Sequence, residues 1–167
     1  MLDQHQTLSI FAEVAVAIAG FSGIVIAFGR RSLGSLTQLE LRRLSNLFAM
    51  SGFVVFSTLL SISLLYLESL EATVLWRGQS ALVILFGTLW LIMDWRRLGQ
   101  LAAQERAQVK AAVIYPFNSL AAIALALQIA NIVWFVAPWP FFIALVIMTL
   151  FAFQQFILLV RMGFRDA

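Results

Sequence analysis

Five long apolar segments, separated by short polar or charged stretches, dominate the hydrophobic pattern of this 167-residue chain. A helix needs about 20 mostly apolar residues to cross a hydrocarbon core of roughly 30 Å. The segments that reach this length are residues 8–28, 47–66, 74–94, 116–137 and 140–160. The pattern predicts an all-α integral membrane protein, with residues 1–167 forming a single domain built as a bundle of five transmembrane helices.

The boundary between the last two segments decides between five spans and four, because their apolar residues almost run together. Ala137-Pro138-Trp139-Pro140 places two prolines two residues apart. A proline inside a helix removes a hydrogen bond and clashes with the preceding turn, so we expect a tight reversal here. Five spans are therefore favoured, and four remain the alternative.

Basic residues fall on alternate sides of these predicted spans. All 11 Lys and Arg residues except Arg77 lie in the first connection, the third connection or the C-terminal tail. Since cytoplasmic connections are enriched in Lys and Arg, we predict that the N-terminus lies outside and the C-terminus in the cytoplasm. Four spans could not keep both the third connection and the tail inside. The membrane that we expect is the bacterial cytoplasmic (inner) membrane.

Three arginine doublets lie close to the predicted cytoplasmic surface. Topology and contact with anionic lipid headgroups account for them, and they also offer a surface to a protein partner at the cytoplasmic face. Asp94 lies close to the third doublet in sequence, and we expect it to be the local counter-charge. The doublets are Arg30, Arg31, Arg42, Arg43, Arg96 and Arg97.

Helical extensions are predicted on the cytoplasmic side of spans two and three. Thr37-Gln38-Leu39-Glu40 has the form of a capping box, in which side chains satisfy free backbone donors at a helix start. Helix two should therefore begin near Thr37. The stretch WRRLGQLAAQERAQVKAA is rich in helix formers, so we expect helix three to continue through it. Pro116 suits the first turn of the fourth helix.

Composition supports the membrane class and narrows the chemistry. The chain is 62% hydrophobic and 11% charged, against about 25% charged residues in soluble domains. It contains no cysteine and one histidine, which excludes cysteine-ligated metals, disulfides and a bis-histidine haem within one chain. We find no phosphate-binding motif and no nucleophile with a base and an acid. We therefore expect no enzyme activity, no cofactor, no metal site and no nucleic-acid partner.

Small residues gather on one face of the first span when side chains advance about 100° per residue. Such residues let helix backbones approach closely, either within one chain or between subunits. The opposite side, which includes Ile18, is expected to face lipid. The packing residues are Ala15, Ala19, Gly20, Gly23 and Ala27. The AVAIAGFSGI run followed by a basic doublet resembles the first helix of small bacterial membrane proteins, and this resemblance implies no residue roles.

Polar side chains within the spans are the candidates for a pore or an ion-binding site. Ionisable groups inside a membrane are costly and often mark ion or proton pathways. The candidates are Glu13, Ser57, Thr58, Ser61, Gln128 and Asn131. A structural alternative remains open, because hydroxyls can bond carbonyls of their own helix and amides or a carboxyl group can join neighbouring helices.

These features favour a small homo-oligomeric ion channel or pore in the lipid bilayer, with a cation preference at its outer mouth. A second hypothesis is a non-transporting scaffold or regulatory subunit that binds a partner protein through its cytoplasmic face. A third is a small proton-coupled transporter that uses Glu13 as its titrating group.

Overall fold

The fold is all-helical throughout the part of the chain that the computed structural model describes, which comprises residues 4–28, 36–67, 70–107, 109 and 111–163. Five of its helical segments are long and apolar enough to cross a membrane. The predicted all-helical fold with five helices able to span a membrane is therefore confirmed, and it indicates an integral membrane protein. The elements are α1 (Gln4–Phe28), α2 (Gln38–Leu65), α3 (Ala72–Gln100), α4 (Ala103–Ala107), α5 (Ala111–Ala130), a π-helical turn (Asn131–Phe135) and α6 (Pro138–Gly163).

The long helices run up and down, as contacts near their ends show. The rings of His5 and Tyr66 have centroids 5.2 Å apart, so the start of α1 lies beside the end of α2. An ion pair between Arg42 and Asp94 joins the start of α2 to the end of α3. We call the end of the bundle with this pair the arginine end, and the other the opposite end. That the arginine end faces the cytoplasm stays a prediction.

Helix α6 occupies the centre of the bundle and packs against α1, α2, α3 and α5. Its core-facing side chains are fully or almost fully buried and include Phe141, Ala144, Leu145 and Met148. Helix α1 lies at the periphery, where it packs against α2 and α6. The far side of α1 is therefore left without a helix over it among the described residues.

The predicted capping box at the start of α2 is confirmed. The Thr37 N–H donates to Glu40 Oε2 at 2.8 Å, and the Glu40 N–H donates to Thr37 Oγ1 at 3.2 Å. Helix α2 has 28 residues, which at 1.5 Å per residue gives a length of about 42 Å. It therefore extends beyond a hydrocarbon core of about 30 Å, in agreement with the predicted extension.

The predicted continuation of helix three is wrong beyond Gln100. Leu101 has an extended backbone, with φ −64° and ψ 141°, and its side chain is buried. The Arg106 guanidinium donates to the carbonyl oxygens of Gly99 and Leu101, and so satisfies backbone acceptors that a helix end leaves free. Burial of Leu101 and this cap outweigh the high helix propensity of the following residues, since tertiary contacts readily override propensity.

Proline positions also differ from expectation. Helix α5 begins at Ala111, so Pro116 lies inside it rather than in its first turn. Helix α6 begins at Pro138, and both prolines of the predicted reversal belong to its first turn, where the missing N–H costs little. The reversal itself is present, but it is made by Val136, whose φ of 47° and ψ of 49° lie in the left-handed region.

We expect Val136→Gly to raise the free energy of unfolding by about 0.5 to 1 kcal/mol. Left-handed backbone costs a residue with a Cβ roughly 1 to 2 kcal/mol, and glycine avoids this cost but loses about 0.5 to 1 kcal/mol more entropy on folding. Thermal unfolding in detergent measures the change. Val133→Gly is the control, because Val133 is exposed in the π-helical turn and glycine there should destabilise. A loss of stability in Val136→Gly would contradict the expectation.

Candidate functional site

Glu13 lies on α1, on the surface of the protomer. It follows His5 by eight residues, so it sits about 12 Å further along the helix axis, well inside the candidate span Gln4–Ile24. Its side chain is exposed. Helix α1 begins at Gln4, four residues before the predicted start of the span at Leu8, so Glu13 lies nine residues from the start of the helix, or about 13.5 Å along its axis.

Small residues surround Glu13 on the same uncovered side of the helix. We define the open α1 face as Glu13, Val16, Ala17, Gly20 and Gly23, all of which are exposed. A Cβ built on Gly20 or Gly23 would meet nothing within 4 Å among the described residues. Among the described residues, therefore, nothing uses the close approach that these glycines permit.

The predicted packing residues of α1 divide between two environments. Ala15 is buried and Ala19 is half-buried against the bundle, whereas Gly20 and Gly23 belong to the open α1 face. The side chain of Ala27 lies outside those described. Ile18 is buried, so its predicted contact with lipid is wrong, and the bundle side of α1 is formed by both small and large side chains.

The three candidate hydroxyl groups of α2, on Ser57, Thr58 and Ser61, are fully buried and bond to their own helix. Ser57 donates to the Val54 carbonyl at 3.2 Å, and Thr58 donates to the same oxygen at 2.8 Å. Ser61 donates to the Ser57 carbonyl at 2.8 Å. These are the hydrogen bonds that the structural alternative predicts, in which the hydroxyls are satisfied by their own helix.

Two amide side chains, Gln128 of α5 and Asn131 of the π-helical turn, hold the end of α5 against α6 and α3. Gln128 Nε2 donates to the Pro140 carbonyl at 2.7 Å. Asn131 Nδ2 donates to Ser80 Oγ at 2.8 Å, and its Oδ1 accepts from the Ala137 N–H at 2.9 Å. Both amide side chains are completely buried. They join three helices at the point where the chain reverses.

A polar cluster that the sequence did not reveal joins α2 to α3 at the arginine end. Arg42 Nη2 lies 2.5 Å from Asp94 Oδ2, and Asn46 Nδ2 donates to Asp94 Oδ1 at 2.7 Å. The prediction that Asp94 is the counter-charge of Arg96 and Arg97 is therefore wrong. The four-residue spacing of Arg42 and Asn46, which puts both on one helix face, is the signal that could have indicated a shared partner.

The other predicted arginines differ in their surroundings. Arg97 Nη1 donates to Ser45 Oγ at 2.6 Å, which adds a second link between α3 and α2. Arg43 is half-buried on α2, Arg96 is exposed on α3, and Arg30 and Arg31 lie outside the described residues. Each of the two doublets that the structure describes therefore has at least one member bound between these helices.

Fold and site together define a helical integral membrane protein with a carboxylate exposed on a peripheral span. Within the described ranges, no group of three or more His, Cys, Asp or Glu side chains is placed to hold a metal ion. The chain matches no family model, none of the curated proteins and no solved structure. A function is therefore inferred from the geometry of the described residues rather than from a related protein.

Proposed function

We propose that the protein is a homo-oligomeric pore that conducts cations along an axis surrounded by the open α1 faces of several copies. The exposure of Glu13 carries this proposal. An ionised side chain that faces lipid costs up to about 2.5 to 3.5 kcal/mol on insertion scales, the value at the centre of a spanning helix. Assembly around a water-filled axis would remove the carboxylate from lipid, and a ring of carboxylates attracts cations.

The interior of the protomer offers less support for a pathway. Its predicted polar candidates on α2 bond to their own helix, and those on α5 fix the α5–α6 reversal. A pathway through the protomer would disrupt these bonds, whereas a pathway between protomers would use side chains that are already exposed.

The small residues beside Glu13 support the same arrangement. Gly20 and Gly23 leave open space where a side chain would project, and small residues allow spanning helices of two subunits to pack closely. One part of the open α1 face would then contact the neighbouring copy while Glu13 turns toward the axis.

The scaffold hypothesis has weaker support, because Arg42 and Arg97 are bound to residues of the same chain. A proton-coupled transporter would use the same carboxylate as the pore. The two differ in that transport by the carrier would depend on a proton gradient, whereas cation flux through the pore would continue without one.

Cation flux into liposomes tests the role of Glu13. We expect purified protein to conduct K⁺, and Glu13→Gln to lower the K⁺ flux or the cation-to-anion permeability ratio by about tenfold or more, because it removes the charge ring. Glu71→Gln is the control, since Glu71 is an exposed carboxylate just before α3, and it should change flux by less than about twofold. Absence of flux in the parent protein would overturn the pore.

Cross-linking in the same liposomes tests the assembly, because the chain has no cysteine of its own. Gly20→Cys should form disulfide-linked dimers on mild oxidation. Leu85→Cys, which is exposed on α3 and remote from the open α1 face, should stay monomeric. Equal cross-linking at the two positions would argue against an interface at α1.

A further inference from the structure

The arginines at the arginine end differ in whether a partner within the chain binds them. Arg42 is paired with Asp94, and Arg97 donates to a hydroxyl of α2, so both join α2 to α3. Arg96, on α3, and Arg161, in the last turn of α6, are exposed. No hydrogen bond or ion pair of either side chain is found among the described residues. These two guanidinium groups are therefore available to a partner outside the chain.

Arg96 and Arg161 lie at the same level of the bundle to within about one helical turn. Near the opposite end, the rings of Trp76 on α3 and Phe141 on α6 have centroids 6.1 Å apart. Each arginine follows the aromatic residue of its own helix by 20 residues, or about 30 Å. A second aromatic contact, nearer the arginine end, shows that the two helices run in the same direction. Two neighbouring helices therefore place an exposed arginine at one depth.

This depth corresponds to the surface of a bilayer. Trp134 and Trp139 are exposed at the opposite end, and tryptophan is enriched at membrane–water interfaces. Arg161 follows Trp139 by 22 residues, or about 33 Å, which is just beyond a hydrocarbon core of roughly 30 Å. Trp95, the neighbour of Arg96, is also exposed, as expected at the second interface. Lipid phosphate groups therefore lie at the level of the two arginines.

The charge around these arginines favours an anionic partner. Asp94, two residues before Arg96, is held by two side chains of α2. Helix α6, which carries Arg161, contains no acidic residue. A guanidinium group donates two parallel hydrogen bonds to a phosphate. A zwitterionic headgroup carries the same phosphate but adds a cation, so a headgroup with net negative charge fits this surface better.

We propose that Arg96 and Arg161 bind the headgroup phosphates of anionic phospholipids, whereas Arg42 and Arg97 hold α2 against α3 and contribute little to lipid binding. The lipid contact is independent of ion conduction, because it lies on α3 and α6 rather than on the open α1 face.

Competition between two phospholipids tests this preference. Purified protein is equilibrated in mixed micelles with equal amounts of phosphatidylglycerol and phosphatidylcholine that have identical chains, and native mass spectrometry measures the ratio of the two bound lipids. We expect the parent to favour phosphatidylglycerol by about fivefold, the contribution of one arginine near an anionic surface. The double variant Arg96→Gln with Arg161→Gln should bring the ratio to within about twofold of one, because glutamine carries no charge.

Two control variants separate lipid binding from general charge and from stability. Arg77→Gln removes an exposed arginine near the opposite end and should keep the preference for phosphatidylglycerol. Arg97→Gln removes the bond to α2, so it should unfold at a lower SDS concentration and still keep the preference. Addition of millimolar inorganic phosphate should leave the ratio of bound lipids unchanged, because the ligand is a lipid headgroup.

Four results would overturn the proposal. An unchanged preference in the double variant would remove Arg96 and Arg161 from lipid binding. An equal loss in Arg77→Gln would show an effect of net charge alone. An equal loss in Arg97→Gln would contradict the separation of the two kinds of arginine. Displacement of phosphatidylglycerol by inorganic phosphate would identify free phosphate as the ligand.

Discussion

Replacing Asp94 with alanine is expected to lower the free energy of unfolding by about 3 to 5 kcal/mol, because the change leaves Arg42 charged without its partner between two helices. The side chains of Arg42 and Asp94 are only 12% and 14% exposed. Asp94 also accepts from Asn46, so its loss leaves a second buried donor without an acceptor. Few other single substitutions outside the apolar core would remove two contacts between helices at once.

Unfolding by SDS in mixed micelles measures this effect. Glu71→Ala is the control, because Glu71 is an exposed carboxylate that accepts only from the Thr73 hydroxyl, at 3.1 Å, among the contacts described; it should cost less than about 0.5 kcal/mol. Removing both charges, as Arg42→Met with Asp94→Leu, should recover most of the stability, since an apolar pair of similar volume often replaces a buried ion pair without loss. Equal losses in Asp94→Ala and Glu71→Ala would show that the pair contributes little.

The Asp94 cluster also shows which part of the structure the sequence could predict. The capping box at Thr37 and Glu40 could be predicted because its partners lie three residues apart. Five spans could be predicted because a helix needs about 20 mostly apolar residues to cross the membrane. Asp94 instead pairs with a residue 52 positions away, and this pairing depends on how α2 packs against α3.

The faces of α1 were harder to predict for a different reason. In a soluble protein the apolar face of a helix points inward, but lipid is as apolar as the protein interior, so the hydrophobic pattern does not separate the two sides. Ile18 is buried against the bundle and Gly20 is exposed, whereas the sequence pattern predicted that Ile18 faces lipid and that Gly20 packs against a helix. The sequence identified Glu13 as unusual, and only the packing of α1 against α2 and α6 showed that its side is uncovered.

The polar candidates on α2 and α5 illustrate the same limit. Their residue types indicated hydrogen bonding within the membrane, which the structure describes for each of them. Their partners were not predictable, because an amide such as Gln128 can bond to any backbone or side chain that packing brings near it. The partner found, the carbonyl of Pro140, belongs to the next helix.

Asn131→Leu is expected to lower the free energy of unfolding by about 2 to 4 kcal/mol. The change removes bonds to Ser80 and to the Ala137 N–H. Hydrogen bonds between membrane helices contribute about 0.6 kcal/mol on average and up to about 1.7, and each buried group left without a partner adds roughly 1 to 3 kcal/mol. Ala137 follows Val136, whose left-handed backbone is strained. The substitution would therefore leave the Ala137 N–H without an acceptor in a turn that is already strained.

SDS unfolding again measures the change, with Asn118→Leu as the control. Asn118 lies on α5, which leads directly into the π-helical turn of Asn131, and it is half-buried. No hydrogen bond of its side chain is found among the described residues, so the same substitution there should cost less than about 1 kcal/mol. A double-mutant cycle of Asn131→Leu with Ser80→Ala should show a coupling of about 0.5 to 1.5 kcal/mol, because the two side chains share one bond. If Asn131→Leu cost no more than Asn118→Leu, the α5–α6 reversal would be held by backbone geometry and packing rather than by the Asn131 side chain.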